Sequence, residues 1–289
     1  MSHDWADKTA QQLLSRGFIK TGICLILGAS DTGKTTLAAA LAKRAASSEP
    51  VGIIDADIGQ SHIGPPTTVG WAVLENSQTP FVEFSDLPVG GISFVGDVTP
   101  VRHLLQLTAA ITQCVQQVSK STEIMIIDTP GFVSGPAATA LWWTVQQILK
   151  PKLILAVQRC DELSDILTGL NSPDLKLELI KSPPRIPTKS PPDRRNYRQS
   201  RFSRYFRDSC LHKISLTKIA IQTSRNLNRE NLVNHLIALR DGKGIDMAIG
   251  LITNWQNDKG IVAVRAPKID IQQIRCLVVG DTTIEIEDG

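Results

Sequence analysis

The sequence holds no run of about 20 consecutive apolar residues, so it offers no helix able to cross a bilayer. Its first residues, Met1-Ser2-His3-Asp4-Trp5, lack the basic-then-apolar order of a secretory signal. The expectation is a soluble intracellular (cytoplasmic) protein without a membrane partner. Cysteine is sparse and scattered. Cys24, Cys114, Cys160, Cys210 and Cys276 make no C-x-x-C pair, and no histidine stands at zinc-ligand spacing from one. That excludes a disulfide scaffold and a zinc ribbon, and predicts reduced, mostly packed thiols. Excess charge is lacking too: the net value is +3 with 20% charged residues, which fits neither disorder nor a nucleic-acid coat protein. There is no internal repeat. A 42% hydrophobic content over 289 residues is enough for a substantial core in one large or two modest domains.

Apolar runs alternate with helical patterns. Residues 4–17 read as an amphipathic helix that buries Trp5, Leu13, Leu14 and Phe18. Ile23 to Leu27 is continuously apolar, as expected of a central parallel strand covered on both faces. A helix rich in Ala and Leu follows at 37–46. Further strands are expected at 51–54, 124–127 and 153–157, with helices at 103–118 and 136–149. Residues 68–75 and 81–84 read as an inserted hairpin. Such alternation predicts a parallel α/β sheet with flanking helices. After Ile180 the composition changes. Five prolines in 182–192 mark an extended connector, and an arginine-rich helical segment runs from 193 to 209. Short runs at 247–252, 261–264, 276–279 and 283–286, separated by glycine turns, predict a small β-rich C-terminal domain. The expected organisation is an N-terminal helix at 1–21, a nucleotide-binding domain at 22–180 and connector and lid at 181–212. The end of the core and the β-rich domain occupy 213–289.

Gly28-Ala29-Ser30-Asp31-Thr32-Gly33-Lys34-Thr35, followed by Thr36, matches G-x-x-x-x-G-K-[ST] between a buried strand and a helix. In that setting backbone N–H groups cradle phosphates, Lys34 neutralises the β- and γ-phosphates, and Thr35 offers its hydroxyl to Mg²⁺. ATP or GTP with Mg²⁺ is therefore expected. Asp128 ends an apolar strand and is the natural acidic partner of the metal. The second strand ends in Asp55-Ala56-Asp57, whose alternation puts both carboxylates on one side at the edge where such sheets bind ligands. One of them can order the metal; the other can accept a proton from an attacking hydroxyl.

Positive charge is concentrated where the bulk value hides it. Residues 181–213 carry ten Lys or Arg against two Asp, a local net of +8. Arg194, Arg198, Arg201 and Arg204 recur at spacings that share one broad helical face. Two uses suit such a face: closing over a phosphoryl group in flight, or gripping a nucleic-acid backbone.

These residues resemble the polynucleotide 5′-hydroxyl-kinase family of RNA processing. The likeness is carried by residues 28–36, by the string Asp55-Ala56-Asp57-Ile58-Gly59-Gln60-Ser61-His62-Ile63-Gly64-Pro65-Pro66-Thr67-Thr68-Val69-Gly70, and by Phe94-Val95-Gly96-Asp97-Val98-Thr99-Pro100. Asp128-Thr129-Pro130-Gly131-Phe132-Val133, the stretch ending Arg201-Phe202-Ser203-Arg204-Tyr205-Phe206, and the late runs at 249–252 and 278–280 add to it. The resemblance implies transfer of the ATP γ-phosphate to the 5′-hydroxyl of RNA or DNA. By it, Asp57 is the base with Gln60 beside it and Asp55 is left to the metal. Arg198 and Arg201 are the catalytic lid arginines; Thr99, Arg194 and Arg204 join Gln60 on the substrate. Two departures stand out. Only about twenty residues precede the first strand, where the eukaryotic members have a sizeable domain. Phe132 also replaces the tryptophan of the family's Asn-Thr-x-Gly-Trp motif, although Trp142 and Trp143 are near in sequence.

A GTPase is the rival reading, since Asp128-Thr129-Pro130-Gly131 also fits D-x-x-G. Its guanine-reading motif would fall at Gln158-Arg159-Cys160-Asp161, where only the aspartate matches. A motor-type ATPase lacks its glutamate, because Thr129 follows Asp128. A nucleotide-binding scaffold for an RNA-processing complex is the non-enzymatic alternative.

Overall fold

The computed structural model describes residues 2–79, 81, 83–170, 172–223, 232–256 and 258–285. Its centre is five parallel strands in the order β7(Lys176–Lys181)-β6(Leu153–Gln158)-β1(Gly22–Leu27)-β5(Ile124–Asp128)-β2(Val51–Asp55). These strands are apolar on both faces because helices cover both. Cys24, Ile26, Val51, Ile53, Ile124 and Ile126 pack beneath α1(Ser2–Ser15) and α2(Lys34–Ala45). The alternate residues Ile23, Leu25, Leu27, Ile54, Met125 and Ile127 face α3(Leu104–Val118), α4(Pro136–Leu149) and α5(Ser164–Thr168). The period of two along each strand thus divides one sheet between two cores.

Beyond β2 the sheet turns antiparallel through β3(Thr68–Leu74) and β4(Gly91–Phe94). The expected second arm of the hairpin at 81–84 is not a strand. Phe84–Asp86 is a short 3₁₀ turn, and Val82 lies outside the described residues. Phe81 and Phe84 instead bury their rings in the α1–α2 core, which favours a compact turn over an edge strand.

One residue pair, Asp246 with Ile92, joins β4 to β11(Asp246–Gln256) and so links the parallel sheet to the C-terminal strands. There β10(His235–Asp241), β12(Ile261–Ala266), β13(Ile274–Thr283), β8(Cys210–Ser215) and β9(Ala220–Thr223) complete the sheet around a core of their own. The expected strand at 283–286 ends at Thr283, and Ile286 lies outside the described residues. All five cysteines are free thiols, but Cys160 and Cys210 are exposed rather than packed.

The arginine-rich segment forms α6(Pro191–Phe206). It starts inside the proline run because Ser190 caps Asp193 N–H while the Asp193 carboxylate accepts from Ser190 N–H, and Pro191 and Pro192 suit the first turn. Its far end is anchored. Phe202 and Phe206 bury against Ile92, Phe94, Leu236, Ala238, Ile249 and Leu251, and Tyr205 Oη accepts from Ile249 N–H at 2.9 Å. Burying two such rings contributes roughly 3–6 kcal/mol, which holds this half of α6 against β4, β10 and β11.

Candidate active site

The loop after β1 has the curvature its glycines allow. A Cβ at Gly28 would lie 2.4 Å from the Val157 carbonyl, and Asp31 adopts φ 57°. Lys34 is buried, and its Nζ donates to the Ala29 carbonyl at 2.8 Å. Burial lowers its pKa, opposed by the charges of Asp128, Asp57 and Asp31. Thr35 Oγ1 donates to Asp128 Oδ2 at 2.6 Å. The remaining oxygen, Asp128 Oδ1, is buried with no hydrogen-bond partner among the described residues. Burial pushes this carboxyl up to about 7, against the pull of Lys34. The orphaned oxygen beside the loop hydroxyl fits a divalent cation held by Thr35 and Asp128. Segment 128–131 is pressed onto the loop, because a Cβ at Gly131 would sit 2.2 Å from Ser30 Oγ.

Asp55 and Asp57 leave β2 together and then diverge in role. Asp55 is fully buried. Its Oδ1 accepts from Asp57 N–H at 3.1 Å, and its Oδ2 accepts from His62 and Ile63 N–H at 2.5 and 3.0 Å. The carboxylate is the internal splint of the 55–63 loop, so it is not placed as the metal ligand expected from sequence. Burial raises it to about 7 despite these three donors. Asp57 is partly exposed. Its Oδ1 accepts from Gly59 and Gln60 N–H at 3.1 and 3.0 Å, which leaves Oδ2 without a hydrogen bond among the described residues. A cleft of about 490 Å³ joins the two ends of the site. Ser30 through Thr36, Asp57, Gln60 and His62 all line it.

α6 bonds to the two loops that border this cleft, though not with the four arginines that its periodicity suggested. Arg194 Nη2 pairs with Asp31 Oδ2 at 2.6 Å, so it clamps the phosphate loop rather than reaching outward to a substrate. One turn on, Tyr197 Oη donates to the Ser61 carbonyl at 3.1 Å. Arg201 Nη2 donates to the carbonyls of His62 and Gly64 at 2.6 and 3.0 Å. Its guanidinium therefore ties α6 to the loop that follows β2. Arg198 lies between these clamps within electrostatic reach of Asp57. Burial, then the neighbouring Arg195 and Arg194, lowers its pKa. Arg198 also lines a second cavity of about 500 Å³ with Arg195 and Gln199. Arg204 is exposed and lines neither cavity. Thr99 is also exposed and outside the cleft, although its turn abuts the acceptor loop: a Cβ at Gly59 would lie 2.8 Å from the Val98 carbonyl.

The span from the phosphate loop through α6 coincides with the match to one family model, the mRNA cleavage and polyadenylation factor CLP1 P-loop, over residues 28–208. The chain belongs to that family. It is similar to the polyribonucleotide 5′-hydroxyl-kinase PH0197 of Pyrococcus horikoshii, with 32% identity over 203 residues, which are 70% of this chain and 54% of that protein. A second relative with the same description, TK1956 of Thermococcus kodakarensis, is 30% identical over 249 residues, 84% of this chain and 66% of its own length. The chain thus spans about half of the Pyrococcus protein. In solved structures the fold matches that of the wild-type Clp1p–Pcf11p complex at a TM-score of 0.72 and 13% identity, over 96% of this chain and 77% of the other.

Several lining residues of this CLP1-family site carried no signal in the sequence. A Cβ at Gly33 would meet Ile186 at 3.0 Å and the Trp5 ring at 3.1 Å. Trp5 was expected in the core. It is only half-buried and packs against the loop at Gly33, while His3, Ile186 and Pro187 line the cleft nearby. Lys189 Nζ donates to Gln60 Oε1 at 3.1 Å and lies over the Tyr197 ring. Only the count of basic residues had touched it. Trp142, by contrast, is core: fully buried, its Nε1 donates to the Phe132 carbonyl at 2.7 Å and fixes the segment where the family has its tryptophan.

Proposed function

We propose that this chain is a polynucleotide 5′-hydroxyl kinase that moves the γ-phosphate of ATP to the 5′-hydroxyl of RNA or DNA in RNA processing. The observation that carries the reading is Asp57. Its carboxylate is oriented by two backbone amides and opens Oδ2 into the same cleft as Lys34 and Thr35. A switch GTPase has no use for such an acceptor. In this reading the loop amides and Lys34 receive the phosphates. Thr35 and Asp128 hold Mg²⁺, which supplies charge neutralisation on the phosphate oxygens. Asp57 takes the proton of the attacking hydroxyl. Gln60 and Lys189 border the acceptor, and Arg198 supplies positive charge toward the transferring group.

The test is phosphate transfer from labelled ATP to 5′-hydroxyl RNA and DNA oligonucleotides, run beside multiple-turnover GTP hydrolysis. Transfer that Lys34→Ala abolishes, at an unchanged melting temperature, is the expected result. Nucleotide binding without transfer to either acceptor would instead support a scaffold.

A further inference from the structure

Away from the cleft, two Gly-Asp pairs meet across the line between the parallel sheet and the C-terminal strands. Gly96-Asp97 follows β4 and Gly280-Asp281 lies in β13. Their backbones touch: Asp281 and Thr282 N–H donate to the Gly96 carbonyl at 2.9 and 3.1 Å. A Cβ at Gly280 would lie 2.7 Å from that carbonyl, and one at Gly96 would lie 3.0 Å from Gly280 Cα. Only glycines permit this approach, and it carries the two aspartates to the same place. Between them stands His103, 1% exposed, at the start of α3.

His103 Nε2 is 3.3 Å from Asp97 Oδ2 and 3.3 Å from Asp281 Oδ2. Neither ring nitrogen makes a hydrogen bond among the described residues. Asp97 is itself aimed, because its Oδ1 accepts from Val98 and Thr99 N–H at 2.6 and 3.3 Å and leaves Oδ2 to face the imidazole. A buried imidazole close to two carboxylates, with no proton shared along a hydrogen bond, has the arrangement of a ligand set. A cation bonded to each at about 2.1 Å in tetrahedral geometry separates its ligand atoms by about 3.4 Å. One imidazole with two carboxylates suits a divalent transition ion of the zinc or manganese kind.

We propose that Asp97, His103 and Asp281 bind one such cation, separate from the Mg²⁺ of the phosphate loop, which ties the turn after β4 to β13. Three protein ligands leave a position for water. The ion fixes the 97–99 turn, and through Val98 it supports the loop that carries Asp57.

The experiment is calorimetric titration of chelator-dialysed, nucleotide-free protein with ZnCl₂ and with MnCl₂, with thermal melting at each metal concentration. The wild type is expected to show one site that Asp281→Asn removes. Its melting temperature should rise by about 5 °C at a hundredfold excess over Kd, a rise that Asp281→Asn abolishes. Asp97→Asn replaces Asp281→Asn should the latter not fold. Absence of binding in the wild type would overturn the proposal, since the three residues would then be a structural contact between β13 and the turn after β4. Binding that survives both substitutions would overturn it as well, by placing the cation elsewhere, for instance on the exposed Cys210 and His212 pair.

Discussion

The phosphate loop and α6 both carry positive charge beside the Asp31 and Asp57 loops, and they are built in opposite ways. In the loop, eight contiguous residues between a strand and a helix fix the geometry, and Lys34 stays with its own segment by bonding to Ala29. In α6 the charge depends on partners 130 or more residues away. Arg194 closes on Asp31 and Arg201 on the carbonyls of His62 and Gly64, whereas Arg198 lies between them and feels the charge of Asp57. A basic helix is thus less a uniform charged surface than a set of clamps onto distant loops.

The widest separation between the two regions should appear in turnover. Asp57→Asn keeps the oxygen that accepts from Gly59 and Gln60 but cannot take a proton, so kcat should fall by ~10²–10⁴-fold with ATP affinity retained. Arg198→Ala should cost less, on the order of tenfold, and also in kcat. Steady-state kinetics on one oligonucleotide checks both. A larger loss for Arg198 than for Asp57 would reverse the assignment of roles.

Stability should separate the clamps from the catalytic groups. Arg201→Ala leaves two loop carbonyls without their donor, at a cost of about 2 kcal/mol, or roughly 5 °C in melting temperature for a chain of this size. Asp55→Asn puts an amide against backbone donors and should cost at least as much. Neither Lys34→Ala nor Arg198→Ala should lower the melting temperature comparably. Arg201→Lys is not expected to rescue, because an ammonium does not reproduce the fork on two carbonyls.

Asp128 sharpens the contrast through pH. Its folded pKa of about 7 lies above the ordinary carboxylate value. Between roughly pH 4 and 7 the folded protein therefore holds a proton that the unfolded chain has released, so stability falls as pH rises through this window. Asp128→Asn should flatten that slope and stabilise nucleotide-free protein at pH 8 by about 1 kcal/mol, while abolishing metal-dependent transfer. Thermal melts from pH 5 to 8 without divalent cations read this out. A variant less stable than wild type at pH 8 would contradict the burial argument.

The smallest effects belong to the outer arginines. The Arg194–Asp31 pair is partly buried, and a double-mutant cycle should give a coupling of about 0.5–1 kcal/mol. Arg204→Ala should leave kcat and KM within about twofold, since its side chain is exposed and lines neither cavity. A strong, salt-dependent rise in acceptor KM for Arg204→Ala would mean that nucleic acid runs along the outer face of α6.

Much of the site was legible where its determinants are local. The phosphate loop, the strand ending in Asp128 and the Asp55-Ala56-Asp57 step follow from short-range rules: alternation along a strand, and glycines at a tight turn. The division of labour between Asp55 and Asp57 was not legible. Both leave the same strand end, and only the fold of residues 58–63 decides which carboxylate is enclosed by amides. Trp5 and Lys189 were missed for the same reason, since nothing near either residue in sequence announces the loop that it meets.

The sequence by itself determined the layered α/β core, the places of its buried strands and the phosphate loop, because periodicity and backbone geometry act over a few residues. Only the tertiary structure decided which charged groups remain available. That choice depends on burial and on partners distant in the chain: Arg201 is taken up by a loop far before it, Arg194 by Asp31, and Phe202 and Phe206 fix the helix that bears them both.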